Sequence, residues 1–239
     1  MGTNLYQGKN VVITGSRRGV GQSIAQYILS QGGVVFGLSR GEASILDPKY
    51  FHHPVDVANA KEVQSAFFKI SKAVDRIDIV INNAAVLTSQ YAMILPASNA
   101  QTMVNTNLLG TFFVSREAAK LMKKSKIGGR IINIGSMAAS LEPIGDSIYA
   151  ACKAGIITLA NVMAKEFGPF GVTCNTLGIT AIDSDMLAQL PREKIDEIIQ
   201  SLPIPRYAKI DDILNVVDFF ASDRSSYITA QTVYLGGIH

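Results

Sequence analysis

Tyr149 and Lys153 stand four residues apart in SIYAACKAG (147–155), a run otherwise made mostly of small residues. On a helix, such positions share one face, so a phenol and an ammonium would point into the same space. That pair can do proton chemistry. Reducing a ketone places a hydride on carbon and leaves an oxyanion that needs a proton. An ordinary phenol titrates near pH ~10, well above neutrality. A neighbouring ammonium favours the phenolate and lowers that value by roughly 1–3 units, towards the pH at which a general acid works best. A solvated helix face with no chemistry has the same spacing, so the pair alone leaves both readings open.

A second stretch supplies what such chemistry needs. VVITGSRRGVG (11–21) spaces Gly15, Gly19 and Gly21 as G-x-x-x-G-x-G between an apolar run and an amphipathic one. Glycine lets a backbone turn tightly and approach a pyrophosphate closely. The helix that follows offers free N–H groups and partial positive charge to an anion. A strand before and a helix after is the context in which the triad reads as a dinucleotide site made by Gly15, Ser16, Arg17, Arg18, Gly19, Val20 and Gly21; the bland alternative is a glycine-rich turn. An acid after the second strand would accept from the ribose 2′-OH of NAD, whereas arginine accommodates a 2′-phosphate. Here Ser39 and Arg40 end that strand, with Arg17 and Arg18 in the loop and Glu42 falling later. Guanidinium suits phosphate through its fixed fork of donors, so NADPH is preferred over NADH.

These residues must be positioned by elements that the apolar pattern makes visible. Strands are expected at 10–14, 34–39, 77–82, 130–135, 172–177 and 231–235, alternating with helices after the glycine loop and over 61–74, 98–123 and 148–167. Asn59, three before Glu62, reads as a helix N-cap. Strands that are apolar throughout belong to a sheet covered on both faces. The β-α alternation predicts an α/β, Rossmann-type, doubly wound parallel sheet of about seven strands. No linker or composition shift divides the chain, so one domain spans 1–239, with a mobile substrate lid at about 183–210.

Composition narrows the partners. Of 239 residues, 48% are apolar and 17% charged, with a net charge of +3; this suits a large core, and no basic stripe points to nucleic acid. No signal-peptide stretch and no apolar run of membrane-crossing length is evident. The two cysteines, Cys152 and Cys174, lack metal spacing and read as buried residues of a reducing, cytoplasmic compartment. The His52-His53 pair has no carboxylate or cysteine cluster around it, and no metal site is expected.

With these residues in hand, the chain resembles the classical short-chain dehydrogenase/reductase family. TGSRRGVG (14–21), NNAA (82–85), NTNLLG (105–110), INIGS (132–136), YAACK (149–153) and YITAQTVYLGG (227–237) carry the resemblance over nearly the whole length. The tail looks most like the 3-oxoacyl-carrier-protein reductase branch. The resemblance implies a catalytic set of Asn107, Ser136, Tyr149 and Lys153. Ser136 would hydrogen-bond the substrate oxygen, Lys153 would tune Tyr149 and hold the nicotinamide ribose, and Asn107 would hold a proton-supplying water. It also implies that Asp56 and Val57 lie along the adenine, Asn83 and Ala84 along its ribose, and Ile182 and Ser184 at the carboxamide. A homotetramer is implied, with a dimer second.

The chain departs from the family pattern in three places. Ala85 and Ala230 stand where glycine is usual, with little consequence expected. Ile179-Thr180 replaces Pro-Gly before the lid, which changes the substrate entrance. The leading expectation is an NADPH-dependent reductase of a 3-oxoacyl thioester. A reductase of a keto-sugar or secondary-metabolite ketone stays open, as does a non-catalytic cofactor sensor. Lys120, Lys123, Lys124 and Lys126 read as a solvated helix end suited to the dipole, or as a dock for an acyl carrier protein.

Overall fold

The computed structural model describes residues 5–182 and 192–237, with side chains from 195 onward in the second stretch. Asp183, Ser184 and the start of the expected lid lie outside the described residues. The strands are β1 (Asn10–Thr14), β2 (Val34–Ser39), β3 (Tyr50–Pro54), β4 (Ile79–Asn82), β5 (Gly129–Ser136), β6 (Val172–Ile179) and β7 (Thr232–Tyr234). They form one seven-stranded sheet ordered β3-β2-β1-β4-β5-β6-β7, and every pair is parallel.

The helices are α1 (Gly19–Ser30), α2 (Ala60–Ala73), α3 (Ala97–Met103), α4 (Gly110–Ser125), α5 (Ala138–Leu141), α6 (Ser147–Phe167), α7 (Arg192–Ser201) and α8 (Ile210–Ala221). Alternate strand residues feed two cores. Val12, Val80 and Ile131 pack with Val63 and Phe67 of α2, Val114 of α4 and Met163 of α6. Val11, Ile13, Ile79 and Ile81 pack with Ile24 and Ile28 of α1 and with Ile213, Val217 and Phe220 of α8. Both faces of the central strands are therefore dry, which is why they read as unbroken apolar runs.

Asn59 caps α2 as its sequence suggests: Oδ1 accepts from the N–H groups of Lys61 and Glu62 at 3.1 and 3.4 Å. Glu62 reaches back to the Asp56 N–H at 2.8 Å. The segment expected as one helix over 98–123 is instead α3 and α4 joined by a π-helical turn, Val104–Leu109. By length and composition Ser147–Phe170 could cross a membrane, contrary to the reading of the sequence. In this fold, Ala160, Met163 and Ala164 of α6 pack into the core beside the sheet.

Candidate active site

The strand order reverses between β1 and β4, so connections leave to opposite sides and a crevice opens at the carboxyl ends of the strands. A cavity of about 450 Å³ lies there, lined by residues from Gly15 to Ile182 drawn from β2, β5, β6, α1, α6 and the loops after β1, β3 and β4.

The glycine loop forms one end. Gly15 and Gly19 have φ of +68° and +55°, conformations that a Cβ disfavours. At Gly21 a Cβ would collide with the Asn83 side chain and the Gly15 carbonyl. Asn83 holds that contact: its Nδ2 donates to the carbonyls of Thr14 and Gly15 at 3.1 and 3.3 Å. Thr14 Oγ1 accepts from the N–H groups of Asn83 and Ala84, each at 2.9 Å. The NNAA segment and the loop are thus one rigid body. Its rim opens onto α1, whose first turn has no side-chain cap, leaving N–H groups for an anion.

Arg17, Arg18, Ser39 and Arg40 all line this end, and Glu42 does not. The three guanidiniums are exposed. Ser39 is buried, and its hydroxyl has no partner among the described residues. Asp56, Val57, Asn83, Ala84 and Ile182 also reach the cavity, with Val20. Ser16 and Gly21 do not: Gly21 lies beneath the loop, and the Ser16 hydroxyl turns to Tyr50.

Tyr149 and Lys153 line the opposite end, from successive turns of α6. Lys153 is 3% exposed; its Nζ donates to the Ile134 carbonyl at 2.7 Å and sits 5.7 Å from the centre of the Tyr149 ring. Burial lowers the Lys153 pKa to about 8. Burial raises Tyr149 to about 12, opposed by a hydrogen bond from Ser136, with Asp146 and Cys152 raising it slightly further. The expected lowering of the phenol by its ammonium is therefore overturned for the ligand-free site. Loss of hydration is the largest cause at both groups.

Ser136 ends β5, half-buried, with Oγ accepting from the Ala138 N–H at 3.1 Å. Asn107 is fully buried in the π-helical turn. Its Oδ1 accepts from the Val86 N–H at 2.8 Å and its Nδ2 donates to the Val86 carbonyl at 2.9 Å. The side chain braces the cavity wall through both of its polar atoms.

Sequence reasoning missed several wall residues, among them Leu38, Leu87, Thr106 and Ile134. Leu87 follows NNAA closely and Thr106 lies inside NTNLLG, so adjacency to those motifs was the available signal. The histidine pair belongs to β3. His52 Nε2 lies 2.8 Å from the Gly41 carbonyl, and burial lowers the His53 pKa. Cys152 and Cys174 are free thiols, both buried.

A family model described as enoyl-(acyl carrier protein) reductase matches residues 15–239. The chain is 31% identical to the 3-oxoacyl-[acyl-carrier-protein] reductase of Haemophilus influenzae, over 97% of this chain and 98% of that one. Among solved structures, a 3-oxoacyl-[acyl-carrier protein] reductase from Brucella melitensis superposes with a TM-score of 0.88 at 26% identity, covering 98% of this chain and 92% of its own. The ligand-free aldohexose dehydrogenase of Thermoplasma acidophilum gives the same TM-score, 0.88, at 26% identity, covering 98% and 95%. The chain belongs to the short-chain dehydrogenase/reductase family, as an NAD(P)-dependent oxidoreductase of the CH–OH/C=O couple.

Proposed function

From that membership, we propose that the protein is an NADPH-dependent ketoreductase acting on a 3-oxoacyl thioester, carrier- or CoA-linked, in the cytoplasm. One observation carries the reading: a single cavity joins an arginine-rich rim without a lining acid at the end of β2 to Tyr149 and Lys153 on α6. The partnerless Ser39 hydroxyl and the three guanidiniums fit a ribose 2′-phosphate. The tight glycine loop fits a pyrophosphate.

NADPH, when bound, supplies the hydride. The chain supplies the proton and the charge. Tyr149 holds its proton at neutral pH and donates it from Oη to the substrate oxygen. Ser136 Oγ hydrogen-bonds the same oxygen and stabilises the negative charge that develops there. The Lys153 ammonium offsets the charge of the phenolate left behind; a pKa of about 8 keeps it mostly protonated at neutrality. Asn107 holds Val86 in the wall and so shapes the space beside Tyr149.

Exposed apolar side chains beyond Leu87 and before α6 suit an apolar chain. The loops carrying Tyr91, Met93 and Ile94 and carrying Ile144 expose those side chains, and the Gln90 N–H to Gly145 carbonyl bond of 2.8 Å joins the two loops. Lys153 is the one cation lining the Tyr149 end among the described residues, which suits an uncharged ketone better than a sugar acid. The keto-sugar reading rests on Ile179, which brings a branched side chain into the cavity wall where the family has proline. Carrier docking at the lysine cluster draws less support: Lys120 pairs with Glu117 at 2.8 Å and Lys123 lies 4.3 Å over the Phe170 ring.

Two measurements test the reading. NADPH oxidation is followed against acyl thioesters, keto-sugars and hydrophobic ketones. On the best substrate, Tyr149→Phe should lose about 10²–10⁴-fold in turnover while NADPH affinity survives; retention of a third of the activity overturns the mechanism. Separately, NADPH should bind more tightly than NADH, with a preference that shrinks in added salt and on Arg40→Asp. Equal affinities in the unmodified protein exclude the cofactor assignment.

A further inference from the structure

The glycine loop is held from its outer side as well as by Asn83. Ser16 is fully buried and its hydroxyl lies 2.9 Å from that of Tyr50, the first residue of β3. Strand β2 runs between β1 and β3, and the two hydroxyls meet over its Gly37. A Cβ at Gly37 would collide with both of them. Glycine inside a strand usually costs stability; here its missing side chain is the space in which the contact is made.

The Tyr50 ring is itself fixed. It is buried with Ile45 in the α1 and α8 core and stacks on His52, centroids 6.3 Å apart. Ser44, from the segment joining β2 to β3, donates to the Arg17 carbonyl at 2.6 Å. Two consecutive loop residues, Ser16 and Arg17, are thus tied to the sheet edge. Packing alone would be satisfied by phenylalanine at 50, but the buried Ser16 hydroxyl would then lose its partner, which is costly in a dry site.

We propose that Tyr50, acting through Ser16 over Gly37, is a positioning residue that sets the glycine loop for the pyrophosphate of the cofactor. This rests on the reading of the cavity as a dinucleotide site. The test is a double-mutant cycle on cofactor affinity, read by fluorescence titration of NADPH and NADH with the protein, Tyr50→Phe, Ser16→Ala and the pair. Each single change should weaken both cofactors alike, by about three- to tenfold, the worth of one hydrogen bond. The pair should be no worse than the weaker single. In Tyr50→Phe the NADPH KM should rise while kcat at saturating cofactor holds, a split that general loosening of the fold would not produce. Gly37→Ala, which keeps both hydroxyls but separates them, should weaken binding as well, and serves if Tyr50→Phe does not fold. Unchanged affinity in whichever of these two variants folds, or additive losses in the pair, overturns the inference while leaving the dinucleotide reading standing. Failure of the unmodified protein to bind either cofactor overturns both.

Discussion

At the scale of residues, Lys153 shows how a buried ammonium costs stability. Its pKa is lowered from the ordinary 10.5 to about 8, because burial disfavours the ammonium. Between those values the unfolded chain binds more protons than the folded one, so stability rises with pH across that window. Below pH 8 the penalty stays in full. Tyr149 works the other way. Its pKa is raised from 10.0 to about 12, so stability falls as pH climbs from 10 towards 12. Lys153 should therefore add ~2 kcal/mol to stability in urea unfolding of the cofactor-free protein between pH 7 and 10, against an opposing loss above pH 9 from the Cys174 thiol, whose pKa burial raises from 9.0 to about 12; the difference between the protein and Lys153→Met should show the gain. An unaltered pH profile in that variant would show that Lys153 is not the group responsible. The spacing of Tyr149 and Lys153 was legible in the chain, since a shared helix face follows from four residues. The direction of their pKa shifts was not, because burial depends on walls contributed by β5, β6 and the loop after β4.

At the scale of elements, the chain enters β7 through a left-handed residue. Ala230 has φ of +57°, which corrects the expectation that alanine there has little consequence. The turn is held all the same. The Ala230 N–H donates to the Cys174 carbonyl at 2.8 Å, the Cys174 N–H to Thr229 Oγ1 at 3.0 Å, and Asn175 Nδ2 to the Ile228 carbonyl at 2.8 Å. Left-handed alanine costs roughly 1–2 kcal/mol, and glycine gives back part of that through its freer unfolded state. Ala230→Gly should raise stability by about 0.5–1 kcal/mol, read as a later urea midpoint; an earlier midpoint would mean that the methyl contact with the core outweighs the strain. Strands buried on both faces were readable from their apolar runs. Edge strand β3 was not: in YFHHP, Phe51 faces solvent, the middle is two histidines and the end is proline, so neither an apolar run nor alternation marks it. The π-helical turn was equally hidden, since VNTNLL keeps the composition of an ordinary helix, and the widening shows only in the bond from the Gly110 N–H to the Asn105 carbonyl, five residues back.

At the scale of the whole molecule, α6 presents Ala151 and Ala154 to solvent near the exposed Val162, a surface of small side chains that lets another helix approach. We propose assembly as a homotetramer through this helix, with a dimer as the alternative. Light scattering at micromolar concentration should give the tetramer mass, and Ala154→Arg should lower it; a monomer in the unmodified protein refutes the proposal. The cavity wall has a separate consequence. Its described residues run from Gly15 to Ile182, so a nascent chain lacking β6 does not own a complete pocket. A dinucleotide bound there recognises only chains folded through β6. At a hundred times its dissociation constant it would add ~2.7 kcal/mol to their stability, enough to slow their capture by proteases. The cell's store of reducing power would then govern how long each copy survives as well as how fast it works.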